Sequence, residues 1–186
     1  MKVLLHACCA PCSSAIVEYL VGHGYECAIF YSNPNIYPSE EYQKRLGECA
    51  RYAAKWGVPL IEDVYDHEAW LSCVSGLEGE PERGARCAKC FEYRLLRAAK
   101  YASENGFPLL TTTLASSRWK SLEQINKAGA AACSMVNGVE WWDRNWRKGG
   151  LQERRQQIIR EENFYNQLYC GCEFSMGRLA DSGEKA

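Results

Sequence analysis

The stretch Val3-Leu4-Leu5-His6-Ala7-Cys8-Cys9-Ala10-Pro11-Cys12-Ser13-Ser14 decides how this chain reads. Residues 3–7 form a short apolar run, the pattern of a buried strand. Pro11 suits the first turn of a helix, where its missing N–H would have no partner anyway. Cys8, Cys9 and Cys12 then fall on a strand-to-helix turn. In open α/β sheets that turn lies at the carboxyl end of a strand, where ligands bind. A helix N-terminus also favours thiolate over thiol. One free cysteine is most often a small buried hydrophobe. Three on one turn point to a metal or redox site.

Further along, Ile16, Val17 and Leu20 continue that helix to Gly22 and Gly24. Residues 27–31 read as a second strand, stopped by Ser32-Asn33-Pro34-Asn35. Pro38-Ser39-Glu40-Glu41 open a helix with acids in its first turn, and Tyr42, Leu46, Cys49, Ala50 and Ala53 line one face of it. Residues 60–65 are a third strand and 66–74 a short helix. Such a succession implies parallel pairing with right-handed crossovers. Residues 75–84 form a polar, punctuated loop of the length kept for function, which delivers Cys87-Ala88-Lys89-Cys90. A helix follows, with Leu95, Ala98, Ala99 and Ala102 on its buried face. Residues 108–114 are a fourth strand, Leu122, Ile125 and Ala128 mark a helix, and 139–142 a short fifth strand. Residues 151–163 make a polar helix before Cys170-Gly171-Cys172. The expected fold is one α/β domain over residues 1–178. It is a three-layer parallel sheet with a cysteine-bearing insert and a C-terminal extension, and residues 179–186 are expected to be a disordered tail.

Of the 186 residues 47% are hydrophobic and 24% charged, ordinary for a globular protein, but 11 are cysteine. No apolar run approaches the ~20 residues that span a bilayer, so no membrane partner is expected. The apolar N-terminus is too short for an export signal, so a reducing, cytoplasmic location is expected. There, clustered cysteines bind metal or do catalysis rather than pair. With 22 basic and 23 acidic residues, nucleic acid must be met by a local patch.

Cys87-x-x-Cys90 alone is shared by zinc sites and redox dithiols. Joined to Cys8-Cys9-x-x-Cys12, it supplies the thiolates that zinc or an iron–sulfur cluster needs. Adjacent cysteines suit a structural zinc site poorly, which favours the cluster. Cys170 and Cys172, one residue apart around a glycine, read as a redox-active pair, because a disulfide there closes a strained, easily reduced ring. Metal ligation or simple burial is the other reading. Cys27, Cys49, Cys73 and Cys133 read as structural, His6 as a core histidine, and His23 and His67 as surface residues. Arg144, Arg147, Lys148, Arg154 and Arg155 interleave with Trp141, Trp142 and Trp146. With Lys120 they offer phosphate-neutralising cations and stacking faces for nucleic acid. A solvated helix face beside a core tryptophan fits that stretch equally.

His6-Ala7-Cys8-Cys9-Ala10-Pro11-Cys12, Asn33-Pro34-Asn35-Ile36, Arg86-Cys87-Ala88-Lys89-Cys90-Phe91, Thr111-Thr112-Thr113-Leu114 and Tyr169-Cys170-Gly171-Cys172 occur in that order. Across nearly the whole chain this set resembles the epoxyqueuosine reductases of the QueH family. The resemblance implies two-electron reduction of epoxyqueuosine to queuosine in tRNA at the wobble position, the last step of that modification. It implies a 4Fe-4S cluster on Cys8, Cys9, Cys87 and Cys90, a redox-active disulfide between Cys170 and Cys172, and a sheet like that of the PP-loop (HUP-type) nucleotide hydrolases. Cys12 is a candidate ligand for an additional metal ion. The partners implied are tRNA carrying epoxyqueuosine and an electron donor that the sequence does not identify. Lys120, Arg144, Arg147 and Lys148 are the candidate tRNA contacts. Arg118, Asn166 and Asn145-Trp146-Arg147 depart from the family pattern, where proline, arginine and Asp-aromatic-Arg are common. The Ser-Gly-Gly-x-Asp/Ser motif of ATP-using relatives is replaced by thiols, so no ATP chemistry is expected. The rival readings are a PP-loop-like tRNA sulfur-transfer enzyme and a non-catalytic zinc protein that binds RNA.

Overall fold

β1 (Lys2–His6) is the middle strand, and everything chemical is arranged about its carboxyl end. The structure, a computed structural model, describes residues 1–176; the tail expected at residues 179–186 lies outside the described residues. After β1 come α1 (Ala10–Gly22), β2 (Glu26–Tyr31), α2 (Ser39–Lys55), β3 (Leu60–Glu62), α3 (His67–Cys73), α4 (Ala85–Glu104), β4 (Leu109–Thr112), α5 (Leu122–Ser134), β5 (Glu140–Trp141) and α6 (Leu151–Glu161). The strands form one sheet in the order β3-β2-β1-β4-β5, every pair parallel. Leu5 stands opposite Ile29 on one side and Thr111 on the other.

The period-2 alternation of β1 sorts its side chains between two layers. Val3, Leu5 and Ala7 face a core shared with Ile16 of α1, Tyr42 of α2 and Ile158 of α6, while Leu4 faces Leu95 of α4 and Ile125 of α5. Both faces are covered, as an all-parallel sheet requires. At the sheet's far edge α5 lies so close to β5 that a Cβ on Gly129 would overlap the Trp141 ring. The chain lays β2 and β3 to one side of β1, then returns to place β4 on the other. That reversal opens a crevice beyond the carboxyl ends of β1 and β4.

Local chemistry moved several expected boundaries. The third strand stops at Glu62 because Asp63 turns to accept hydrogen bonds from Arg97 and Ser32. The fourth stops at Thr112, whose hydroxyl accepts from the Leu114 amide and caps a 3-10 turn over Thr113–Ser116. α4 begins at Ala85, so Cys87 and Cys90 lie inside its first turns rather than before it. His6 is a satisfied core histidine: Nε2 donates to the Ser32 carbonyl at 3.1 Å, and Nδ1 lies 2.8 Å from Thr112 Oγ1. Burial, with the Arg94 charge beside it, pushes its pKa down to about 3. His67 is a correction. It is half-buried rather than superficial, stacks on Tyr37 and Trp70, lies 2.7 Å from the Pro34 carbonyl, and faces Glu173 at 3.1 Å.

Candidate active site

Cys9 is the N-cap of α1, with extended backbone, and Pro11 sits in the first turn behind it. Cys8, Cys9 and Cys12 are thereby gathered at one helix N-terminus, and their sulfurs all lie within 4.8 Å of one another. The β4 turn closes on them: the Cys8 amide donates to Thr113 Oγ1 at 3.1 Å, and that hydroxyl donates back to Cys8 Sγ at 3.3 Å. Hydrogen bonds from Cys12 and Cys9 hold the Cys8 thiol well below its ordinary pKa, helped by the charges of Lys120 and Arg94 against the pull of burial. Hydrogen bonds to Cys12 and Cys8, with burial, raise Cys9.

A cavity of about 380 Å³ opens over this turn. Cys8 and Cys12 line it together with Cys87, Cys90, Cys170 and Cys172, so three stretches far apart in sequence meet there. Cys87 and Cys90 stand at a second helix N-terminus, where the backbone dipole favours negative charge as it does at α1. They lie outside the tight triad but face the same space. All 11 cysteines are free thiols. Six cations, Arg45, Arg83, Arg86, Arg94, Lys120 and Arg155, line the cavity beside one carboxylate, Glu82. Several reach sulfur directly: Lys120 Nζ lies 3.4 Å from Cys170 Sγ, Arg155 Nη2 3.7 Å from Cys12 Sγ and Arg94 Nη1 3.9 Å from Cys90 Sγ. Burial opposes the Lys120 charge, but its electrostatic attraction to the Cys170, Cys8 and Cys12 sulfurs outweighs it and raises its pKa. Burial pushes the Cys172 thiol up to about 11.

The C-terminal segment is strapped over the cavity by α2. Arg45, buried and paired with Glu41 at 2.7 Å, donates to the carbonyls of Cys170 at 3.0 Å and Tyr169 at 3.2 Å. Glu41 also accepts from the Tyr165 hydroxyl, and Gln167 Nε2 donates to Cys9 Sγ at 3.3 Å. On the opposite wall, buried Arg86 folds the 75–84 insert by donating to the carbonyls of Leu77, Glu78 and Glu80. Arg94 ties the ends of the strands together, donating to the Ser32 carbonyl and Asn33 Oδ1, while Asn33 Nδ2 donates to the Ala7 carbonyl at 2.8 Å.

The basic stretch divides. Arg155 donates to the Pro11 carbonyl and borders the thiols, while Arg147 donates to the Lys120 carbonyl from an adjoining groove. Arg144 stacks over Tyr19 and Trp146, and Arg154 pairs with Glu18, fastening the α6 side to α1. Lys148 is exposed and does not line the cavity. Trp146 is core, its indole donating to Thr111. Arg45 escaped the sequence reading, and so did the contacts that Arg86, Arg94 and Thr113 make. The signal for two of them was an arginine on an apolar stripe: Arg45 between Tyr42 and Cys49, Arg94 between Phe91 and Leu95.

The donor set fits an iron–sulfur cluster. Thiolates are its usual ligands, their negative charge is met here by surrounding cations, and two pairs arrive at one buried space from separate helix N-termini. The triad alone also suits another thiophilic metal ion.

Comparison with known proteins agrees over almost the full chain. Residues 3–178 match the family model described as "Epoxyqueuosine reductase QueH". A protein of that name from Histophilus somni is 48% identical over 175 residues, covering 94% of this chain and 72% of the relative. The Acinetobacter baylyi protein is 47% identical over 175 residues, covering 94% and 80%. That of Thermotoga maritima is 32% identical over 177 residues, covering 94% and 90%.

Proposed function

The chain belongs to the epoxyqueuosine reductase QueH family and is an oxidoreductase of that activity; from that premise, we propose that the thiol-lined cavity is where epoxyqueuosine in tRNA loses its oxygen. One observation carries this reading: six thiols from three separate stretches line one cationic cavity at the sheet's switch point. Cys8, Cys9, Cys87 and Cys90 hold a 4Fe-4S cluster, and Cys12 is available to a second metal ion. The cluster, when bound, supplies one-electron transfer and a Lewis-acidic iron. Cys170 and Cys172 are the two-electron store. Their oxidation to a disulfide releases two electrons and two protons; the epoxide takes up both, its two C–O bonds break, an alkene forms and the oxygen leaves as water. Lys120 holds a proton at Nζ within 3.4 Å of Cys170 Sγ, suited to stabilise a thiolate there or to meet the departing oxygen.

The substrate nucleoside fills the cavity while tRNA phosphates follow the cations outside it. Lys120 lines both spaces, Arg147 lines the adjoining groove and donates to the Lys120 carbonyl, and these two are the favoured contacts. Lys148 is exposed for a more distant phosphate, and Arg144 serves packing against Tyr19 first. An external reductant must restore the dithiol. A cytoplasmic site of action follows from a tRNA substrate; among the described residues no helix is long and apolar enough to cross a membrane.

The test is an anaerobic assay on tRNA carrying epoxyqueuosine with a chemical reductant, followed by mass analysis of the nucleosides. Queuosine should form without ATP. Strict ATP dependence would move the chain to the sulfur-transfer reading, and a colourless protein with stoichiometric zinc and no turnover to the RNA-binding one.

A further inference from the structure

We propose that Trp119 is a stacking platform for a nucleobase next to the one held in the cavity; this rests on the tRNA reading above and adds to it a residue that reads the substrate's neighbourhood. Trp119 is 61% exposed, yet it lines the rim of the thiol cavity. Its presentation is built. Arg83 Nε donates to the Trp119 carbonyl and Nη2 to the Arg118 carbonyl, both at 2.9 Å, while the Trp119 amide donates to Ser117 Oγ. Arg83 is itself fixed, its carbonyl accepting from Gln124 Nε2 at 2.7 Å and its amide donating to Cys87 Sγ. It adopts φ +69°, a left-handed conformation uncommon outside glycine. The Trp119 backbone is thus held at the edge of the site by the residue that also touches a candidate ligand.

The surroundings favour nucleic acid as the occupant. Arg118 lies 4.9 Å from the ring centroid. A groove adjoining the cavity through Arg83 and Lys120 also carries Arg118, Lys127 and Arg147, against two carboxylates, Glu92 and Glu123. Cations along a groove with a flat aromatic face at one end is the arrangement that takes a single strand. The cavity can receive a base only if that base is unstacked from its neighbours. The neighbour then presents a bare face at the rim, where Trp119 stands, and stacking on it returns part of the energy lost on extrusion.

The experiment is fluorescence anisotropy of an anticodon stem-loop RNA at fixed salt, with the parent, Trp119→Ala and Trp119→Phe, beside the same RNA made abasic at the two nucleotides flanking the wobble position. Trp119→Ala should bind the intact RNA roughly ten- to a hundred-fold more weakly, with Trp119→Phe recovering most of the affinity. On the abasic RNA the parent should fall to the level of Trp119→Ala, and the two should no longer differ. Parent-like binding of intact RNA by Trp119→Ala overturns the role of Trp119 alone. Absence of RNA binding by the parent overturns the tRNA reading and this role with it.

Discussion

At Gly171 the backbone runs at φ +135°, a region L side chains rarely enter. A Cβ there would also stand 3.1 Å from Ile36 Cγ1 and 3.2 Å from Arg45 Nη1. The Gly171 carbonyl meanwhile accepts from the Tyr37 amide at 2.9 Å. The glycine between the two thiols therefore does more than permit a tight ring: it lets the strap dock on the Asn35-Ile36 turn and on Arg45. Gly171→Ala should lower unfolding free energy by about 1–3 kcal/mol in urea titration, the usual cost of one strained backbone position plus a displaced contact. It should also slow queuosine formation, because Cys170 shifts away from Lys120. Parent stability together with parent turnover would show that the segment is not docked as described. Cys49 is the contrasting case. It is buried beside Ser13 on the α2 stripe, and burial pushes its pKa up to about 12, as suits a core thiol with no chemical task.

Among the elements, β3 and α4 are joined by Asp63 and Arg97, which also define where the third strand ends. Burial alone would raise the Asp63 pKa, but hydrogen bonds from Arg97 and Ser32 outweigh it and hold the carboxyl below its ordinary range. A carboxyl whose folded pKa is depressed stabilises the fold above its unfolded pKa of about 4, and that stability is lost as pH falls through the folded value. Asp63→Asn should cost about 1–2 kcal/mol at neutral pH, a figure reduced because Arg97 is partly exposed. The penalty should shrink as the pH falls through the depressed folded pKa. A penalty independent of pH would mean the pair contributes shape rather than charge. The strands and helices themselves were legible, because periodicity records which face is buried: the stripe of Tyr42, Cys49 and Ala53 is α2's core face. What sequence could not carry is the set of side chains that act across elements. Arg45 reaches residues 169 and 170, and Arg94 joins the ends of β1 and β2 through Asn33. Such partners are set by tertiary approach, which no local pattern encodes. His67 looked superficial for the same reason: the Pro34, Tyr37 and Glu173 that close over it come from other segments.

At the scale of the whole molecule, the reversal of strand order at β1 and β4 brings the first thiol group, the insert and the C-terminal strap to one crevice. The thiols at residues 8, 9 and 12 were readable as a site from local sequence. The convergence of Cys87, Cys90, Cys170 and Cys172 on them depends on α4 and the strap being folded back by Arg86, Arg94 and Arg45. The claim that the two separated groups form one metal centre is tested most directly by iron and acid-labile sulfide per chain after anaerobic purification, in Cys87→Ser beside Cys49→Ser. The account predicts that Cys87→Ser loses most of its iron and its brown colour, while Cys49→Ser keeps the parent content. Full iron and sulfide in Cys87→Ser would contradict it.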